Sequence, residues 1–185
     1  MIKVLKNPKT DKFYKLKNHI LSESFPWYYH KHTSNQTTLN RLNGYIAMEG
    51  YGHCFLARPE KFKFTKTDSA LCCECIDVLT EIIDSNNLFD SYFFLRAAAN
   101  CIHSNQGMQL SNPHVDHSFP HYNLIVYLTD TGGETFVENE VHDPKEDDVI
   151  LFTGQHYLKR PIKDRRIILV ATIFTYKEQS RKFVL

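Results

Sequence analysis

Residues 113–174 read PHVDHSFPHYNLIVYLTDTGGETFVENEVHDPKEDDVILFTGQHYLKRPIKDRRIILVATIF, and this stretch decides the fold. Its apolar residues come in short runs: Asn123 to Thr129, Glu134 to Val137, Asp148 to Phe152 and Arg166 to Phe174. Turn formers such as Thr131-Gly132-Gly133 and Thr153-Gly154 separate them. Short strands punctuated by turns are the pattern of a barrel or sandwich. Side chains on a strand alternate faces. Asn123, Ile125, Tyr127 and Thr129 therefore share one side of their strand, with Leu124, Val126 and Leu128 on the other. Arg166, Ile168, Val170, Thr172 and Phe174 share a face of the last strand.

The same stretch carries the chemistry. His114 and Asp116 sit two apart, so an extended segment points both to one side. His156 supplies a second imidazole, and Arg166 follows it by ten positions at the head of the last apolar run. Two imidazoles and one carboxylate on one face of an iron leave positions open for a co-substrate and oxygen, the donor set of non-haem Fe(II) oxygenases. Arg165 and Arg166 point to opposite faces of a strand, and alternation with Ile168 and Val170 selects Arg166 for the interior. The spare histidines His117, His121 and His142 are expected beside the site or in solvent, His121 with the option of facing the substrate.

Upstream, Tyr92 to Ile102 reads as a further strand with Arg96, Ala98, Asn100 and Ile102 on one face. A helix is predicted from about Thr67 to Ser85, where Leu71, Cys75, Val78, Leu79, Ile82 and Ile83 keep one face apolar. Gly50-Tyr51-Gly52 suggests a turn or bulge between strands over Tyr45 to Phe55, and His53 reads as structural. Phe25-Pro26-Trp27-Tyr28-Tyr29 reads as a hydrophobic anchor, or alternatively as a wall for substrate. His30 to Asn43 reads as a polar loop near the site, a candidate lid, and Ser104 to Pro113 as a loop without a readable code. The first 21 residues suggest a short strand and a helical turn.

Composition sets the outer limits. A chain of 185 residues suffices for one domain with a sizeable core. Its 22 basic and 21 acidic residues give a net charge of +1, which makes long nucleic acid an unattractive partner. No run is long or apolar enough for a membrane span or a cleaved leader, so a soluble intracellular protein is expected. The five cysteines are an odd set and not a secreted disulfide framework, and the cluster Cys72-Cys73-Glu74-Cys75, without a second pair at zinc-ribbon spacing, reads as buried helical thiols.

The order His114-x-Asp116, Tyr127-Leu128, Gly132-Gly133-Glu134-Thr135, Leu151-Phe152, His156, Arg166 resembles the Fe(II)/2-oxoglutarate-dependent dioxygenases of the prolyl 4-hydroxylase-like group. Phe25 to Tyr29, Arg96 to Asn100 and Asp143-Pro144-Lys145 are similar to elements of the small oxygenases encoded by tailed phages. The resemblance is specific from Tyr92 to Phe174 and looser before that. It implies a mixed α+β, mainly β fold: a double-stranded β-helix (jelly-roll) core over 91–176, with residues 1–90 as supporting helices and strands of the same single domain. It implies Fe(II) held by His114, Asp116 and His156 as the catalytic centre, with 2-oxoglutarate and O2 as co-substrates. Arg166 would pair with the distal carboxylate of 2-oxoglutarate, Tyr127 would lend it a hydroxyl, and Asn100 is a further candidate for that pocket. The expected reaction is hydroxylation, plausibly of a prolyl residue in a peptide or protein, with release of succinate and CO2. A phage protein of this kind would work in the cytoplasm of an infected bacterium. Two alternatives stay open: an oxygenase acting on a nucleobase, nucleoside or small metabolite, and a non-catalytic barrel that binds metal through the same three side chains.

Overall fold

The computed structural model describes residues 1–33, 43–105 and 107–176. In chain order its elements are β1 (Lys3–Leu5), α1 (Asp11–Leu21), β2 (Tyr28–His30), β3 (Tyr45–Ile46), β4 (Gly50–Ala57), α2 (Pro59–Phe62), β5 (Lys66–Thr67) and α3 (Cys72–Ser85). They continue with β6 (Tyr92–His103), β7 (Leu110–Ser111), β8 (Tyr122–Tyr127), β9 (Thr135–Val137), β10 (Glu140–His142), β11 (Val149–Phe152), β12 (His156–Leu158) and β13 (Arg165–Thr175).

The major sheet runs β1-β11-β8-β13-β6-β4-β2, all antiparallel, with β5 paired to β4. Opposite it lie β10-β9-β12 and the parallel pair β3-β7. Isolated bridges Leu110↔Lys159 and His114↔His156 connect the two groups of this second layer. Two facing layers, antiparallel except for the β3-β7 pair, form the double-stranded β-helix that the resemblance implies, and most of the helical content lies ahead of β6.

Period-two alternation sorts the core into two compartments. The outward row Leu124, Val126, Leu128, Ile167, Leu169, Ala171 and Ile173 is buried under the helices, against Phe13, Leu16 and Ile20 of α1 and Cys75, Val78, Leu79, Ile82 and Ile83 of α3. The inward row Ala98, Ile125, Tyr127, Ile168 and Val170 meets Val137, Ile150 and Phe152. Leu79 is fully buried, and truncating it to alanine would cost about 2–5 kcal/mol in transfer and cavity terms. Register sets the site's layout. Tyr127, Ile168, Asn100, Gly52 and Tyr28 form one row across β8, β13, β6, β4 and β2.

Several local expectations shift. The first 21 residues hold a complete helix, α1, because Thr10 caps it by accepting from the Phe13 N–H at 3.2 Å. The helix expected from Thr67 begins at Cys72. Thr67 pairs with Leu56 in β5, and the Ser69 hydroxyl accepts from Leu71 N–H, turning the chain before the helix starts. Gly50 and Gly52 lie within β4, where a side chain at Gly50 would sit 2.9 Å from the Cys101 carbonyl; the register shift falls later, between Cys54 and Leu56. Phe25 is the buried anchor, against Trp27, His53 and Phe55, while Tyr28 and Tyr29 are exposed on an edge strand. His53 is held by the Pro26 carbonyl and the Ser69 hydroxyl. Cys72 and Cys75 are buried and Cys73 is exposed; burial pushes the Cys75 thiol well up. The lid expected over His30 to Asn43 falls largely on residues 34–42, outside the described residues. Among the described residues no helix is long and apolar enough to cross a membrane.

Candidate active site

His114 and His156 face each other as a hydrogen-bonded antiparallel pair: His114 N–H donates to the His156 carbonyl at 3.0 Å, and His156 N–H returns the bond at 2.9 Å. Their side chains consequently stand on one face, with ring centroids 4.4 Å apart. Asp116 comes two residues on from His114, and its Oδ2 lies 3.6 Å from His156 Nε2. One ligand atom from each of the three lies within 4.8 Å of the others. A first-row cation needs about 2.0–2.2 Å to each such nitrogen or oxygen, and that spacing accommodates it.

The surroundings prepare each donor. His114 Nδ1 is 3.0 Å from the Asn112 carbonyl and His156 Nδ1 is 3.3 Å from that of Gly154. A carbonyl only accepts, so each Nδ1 carries the proton and each Nε2 lone pair is left for the metal. Burial, and then the neighbouring His114, push His156 down to about 4, so it is neutral at physiological pH. Arg58 donates to both the Asp116 carbonyl, at 2.7 Å, and Asp116 Oδ1. Arg96 Nη1 approaches the same Oδ1 at 3.5 Å. Burial raises the Asp116 carboxyl, but Arg96, His156 and Arg58 together outweigh it and hold it far below the ordinary carboxylate range. Asp116 is thus ionised, with Oδ1 occupied and Oδ2 turned to the histidines.

These ligands open into a cavity of about 620 Å³ between the two layers. Arg166 is 2% exposed and lines its far side. The guanidinium donates through Nε to the Gly133 carbonyl and through Nη2 to Thr135 Oγ1, both at 2.9 Å, and lies 5.2 Å from the Tyr127 ring centroid. Arg165 faces outward beside Asp164. Tyr127 is buried behind the wall, its hydroxyl bonded to Thr135 Oγ1 at 2.7 Å, so it supports Thr135 and Arg166 and does not itself line the cavity. Asn100 does line it, next to Gly52. Ile102, Ile125, Ile168 and Val170 make the intervening wall apolar.

The spare histidines go elsewhere. His117 is buried between Glu60 and Thr172 Oγ1, and His142 pairs with Asp148. His121 is buried against His117, hydrogen-bonded to the Phe119 carbonyl, and is not among the residues lining the cavity. Arg58 and Thr135 escape a reading of the sequence as site residues. Arg58 reaches Asp116 from 58 positions away, a contact no local pattern encodes. Thr135 lay in sight, directly after the Gly-Gly turn.

The chain matches no protein-family model and no curated protein sequence. Its structure is similar to solved ones. An oxidoreductase of the 2OG-Fe(II) oxygenase family from Burkholderia pseudomallei aligns at TM-score 0.64 and 13% identity, over 93% of this chain and 84% of the other. A prolyl hydroxylase from Trichoplax adhaerens, in complex with a hypoxia inducible factor peptide fragment, aligns at 0.58 and 15%, over 97% and 86%. The non-heme alpha ketoglutarate dependent epimerase SnoN from nogalamycin biosynthesis aligns at 0.55 and 8%, over 94% and 77%. The chain therefore has the fold of the 2OG-Fe(II) oxygenases, prolyl hydroxylases among them.

Proposed function

We propose that this chain is an Fe(II)- and 2-oxoglutarate-dependent dioxygenase that hydroxylates its substrate. One observation carries the reading: a two-histidine, one-carboxylate donor set and a buried arginine line the same apolar-walled cavity. His114, Asp116 and His156 would hold the iron. Arg166 keeps guanidinium N–H donors beyond those given to Gly133 and Thr135, and a planar fork of this kind matches the distal carboxylate of the keto acid. Thr135 Oγ1 lies beside it, oriented by Tyr127. Iron and 2-oxoglutarate, when bound with O2, supply the oxidising power, with succinate and CO2 as by-products.

The protein's own part is positional. Carbonyls fix both histidine tautomers, Arg58 fixes the carboxylate, and Ile102, Ile125, Ile168 and Val170 keep the space between metal and arginine dry. His30, His32, Thr33, Tyr51 and Tyr157 line the same cavity and are the residues we expect to meet the substrate. A prolyl residue of a peptide or protein is the substrate class we favour, because the fold is similar to that of a prolyl hydroxylase solved in complex with a peptide fragment. Prolyl peptides and nucleosides, incubated with Fe(II) and 2-oxoglutarate, should differ in stimulating succinate formation, and the peptide should gain one oxygen atom. Stimulation by nucleosides alone would move the substrate to the nucleobase class.

A further inference from the structure

The cavity holds more positive charge than iron and 2-oxoglutarate use. Among the described residues that line it are three guanidinium groups, Arg58, Arg96 and Arg166, against a single carboxylate, Asp116. Arg58 is committed to Asp116 by two hydrogen bonds. Arg96 is not committed in this way. Among the described residues its polar contact is the 3.5 Å approach to Asp116 Oδ1, an oxygen that Arg58 already holds and whose charge a bound metal would also share. The Arg96 side chain is 20% exposed, and that exposed part faces the cavity.

Register separates Arg96 from the arginine proposed for 2-oxoglutarate. Arg96 pairs across the sheet with Thr172, and Arg166 lies six residues earlier on the same strand. At about 3.4 Å per residue, their backbone positions are roughly 20 Å apart along β13. The distal carboxylate of one keto acid cannot serve both.

We infer that Arg96 is a substrate-recognition residue that pairs with an oxyanion, a carboxylate or phosphate, carried by the substrate close to the reacting carbon. This rests on the oxygenase reading and adds the charge of the substrate to it. Arg58 is a positioning residue for Asp116, while Arg96 discriminates.

The test uses the full chain loaded with Ni(II), which does not turn over, and saturated with 2-oxoglutarate so that Arg166 is occupied. Calorimetric titrations compare N-acetylproline, N-acetylprolinamide and inorganic phosphate. The acid should bind at least about tenfold tighter than the amide, the worth of one charge-assisted contact. Arg96→Met should abolish that preference, and Arg96→Lys should retain part of it. Phosphate binding that exceeds the acid and is lost in Arg96→Met would identify the oxyanion as a phosphate. Equal binding of acid and amide by the unaltered protein, with no binding of phosphate, overturns the inference without any variant. So does an oxyanion preference that survives Arg96→Met. Failure to take up Ni(II) or 2-oxoglutarate would strike the oxygenase reading instead, and the same probes on the metal-free chain would still decide the role of Arg96.

Discussion

Gly133 and Arg166 occupy the same space up to one carbon atom: a Cβ built on Gly133 would lie 2.7 Å from Arg166 Cδ. The glycine also has φ +88°, where a side chain is strained, and its carbonyl accepts from Arg166 Nε at 2.9 Å. The turn thus lets the arginine pass and then anchors it.

Gly133→Ala is expected to lose about 1–3 kcal/mol of stability from the left-handed conformation alone. It should also displace Arg166 and raise the KM for 2-oxoglutarate. Thermal melts and steady-state kinetics check the two effects. Unchanged KM with lowered stability would show that Arg166 is not the co-substrate ligand.

Arg166→Ala and Arg165→Ala form an internal control, because adjacent strand positions face opposite ways. Loss of a charge-assisted pair worth about 3 kcal/mol corresponds to a KM for 2-oxoglutarate raised on the order of a hundredfold in Arg166→Ala. Arg165→Ala should leave it near the unaltered value. Equal effects would remove Arg166 from its proposed role.

How much of this was legible depended on range. The strands from Tyr92 to Phe174 and the facing of Arg166, Asn100 and Ile168 follow from alternation, a property of the local chain. The pairing of His114 with His156 depends on a cross-strand register over 42 positions, so their nearness was suggested only by ligand chemistry and by resemblance. Arg58 is invisible to a local reading because its contact with Asp116 exists only where the end of β4 meets the segment that carries Asp116. The helix starts at Cys72 and not near Thr67 because Thr67 pairs with Leu56 in β5. Alternation turns Tyr127 inward with Ile125, but that Thr135 lies between its hydroxyl and the cavity depends on a contact across the two layers.

Lys17 ties α1 to the turn before β11. It is 6% exposed and pairs with Glu146 and Asp147. Burial lowers its pKa, but the two carboxylates outweigh this and raise it overall. A lysine raised on folding contributes its full stabilisation below the ordinary value of about 10.4 and loses it as pH rises through the folded value. Lys17→Met should cost about 1.5–3 kcal/mol at pH 7, for a lost hydrogen bond to charge. The gap to the unaltered protein should narrow in denaturation curves above pH 11. A gap constant up to pH 12 would assign the loss to packing.

The most direct test of the central claim is an anaerobic titration of the metal-free protein with Fe(II) and 2-oxoglutarate, followed by air. The account predicts a visible charge-transfer band on chelation, its decay with formation of succinate once oxygen enters, and no band in His114→Ala. A folded protein that takes up metal and 2-oxoglutarate but shows neither band nor succinate would contradict it, and a non-catalytic metal-binding barrel would be the better description.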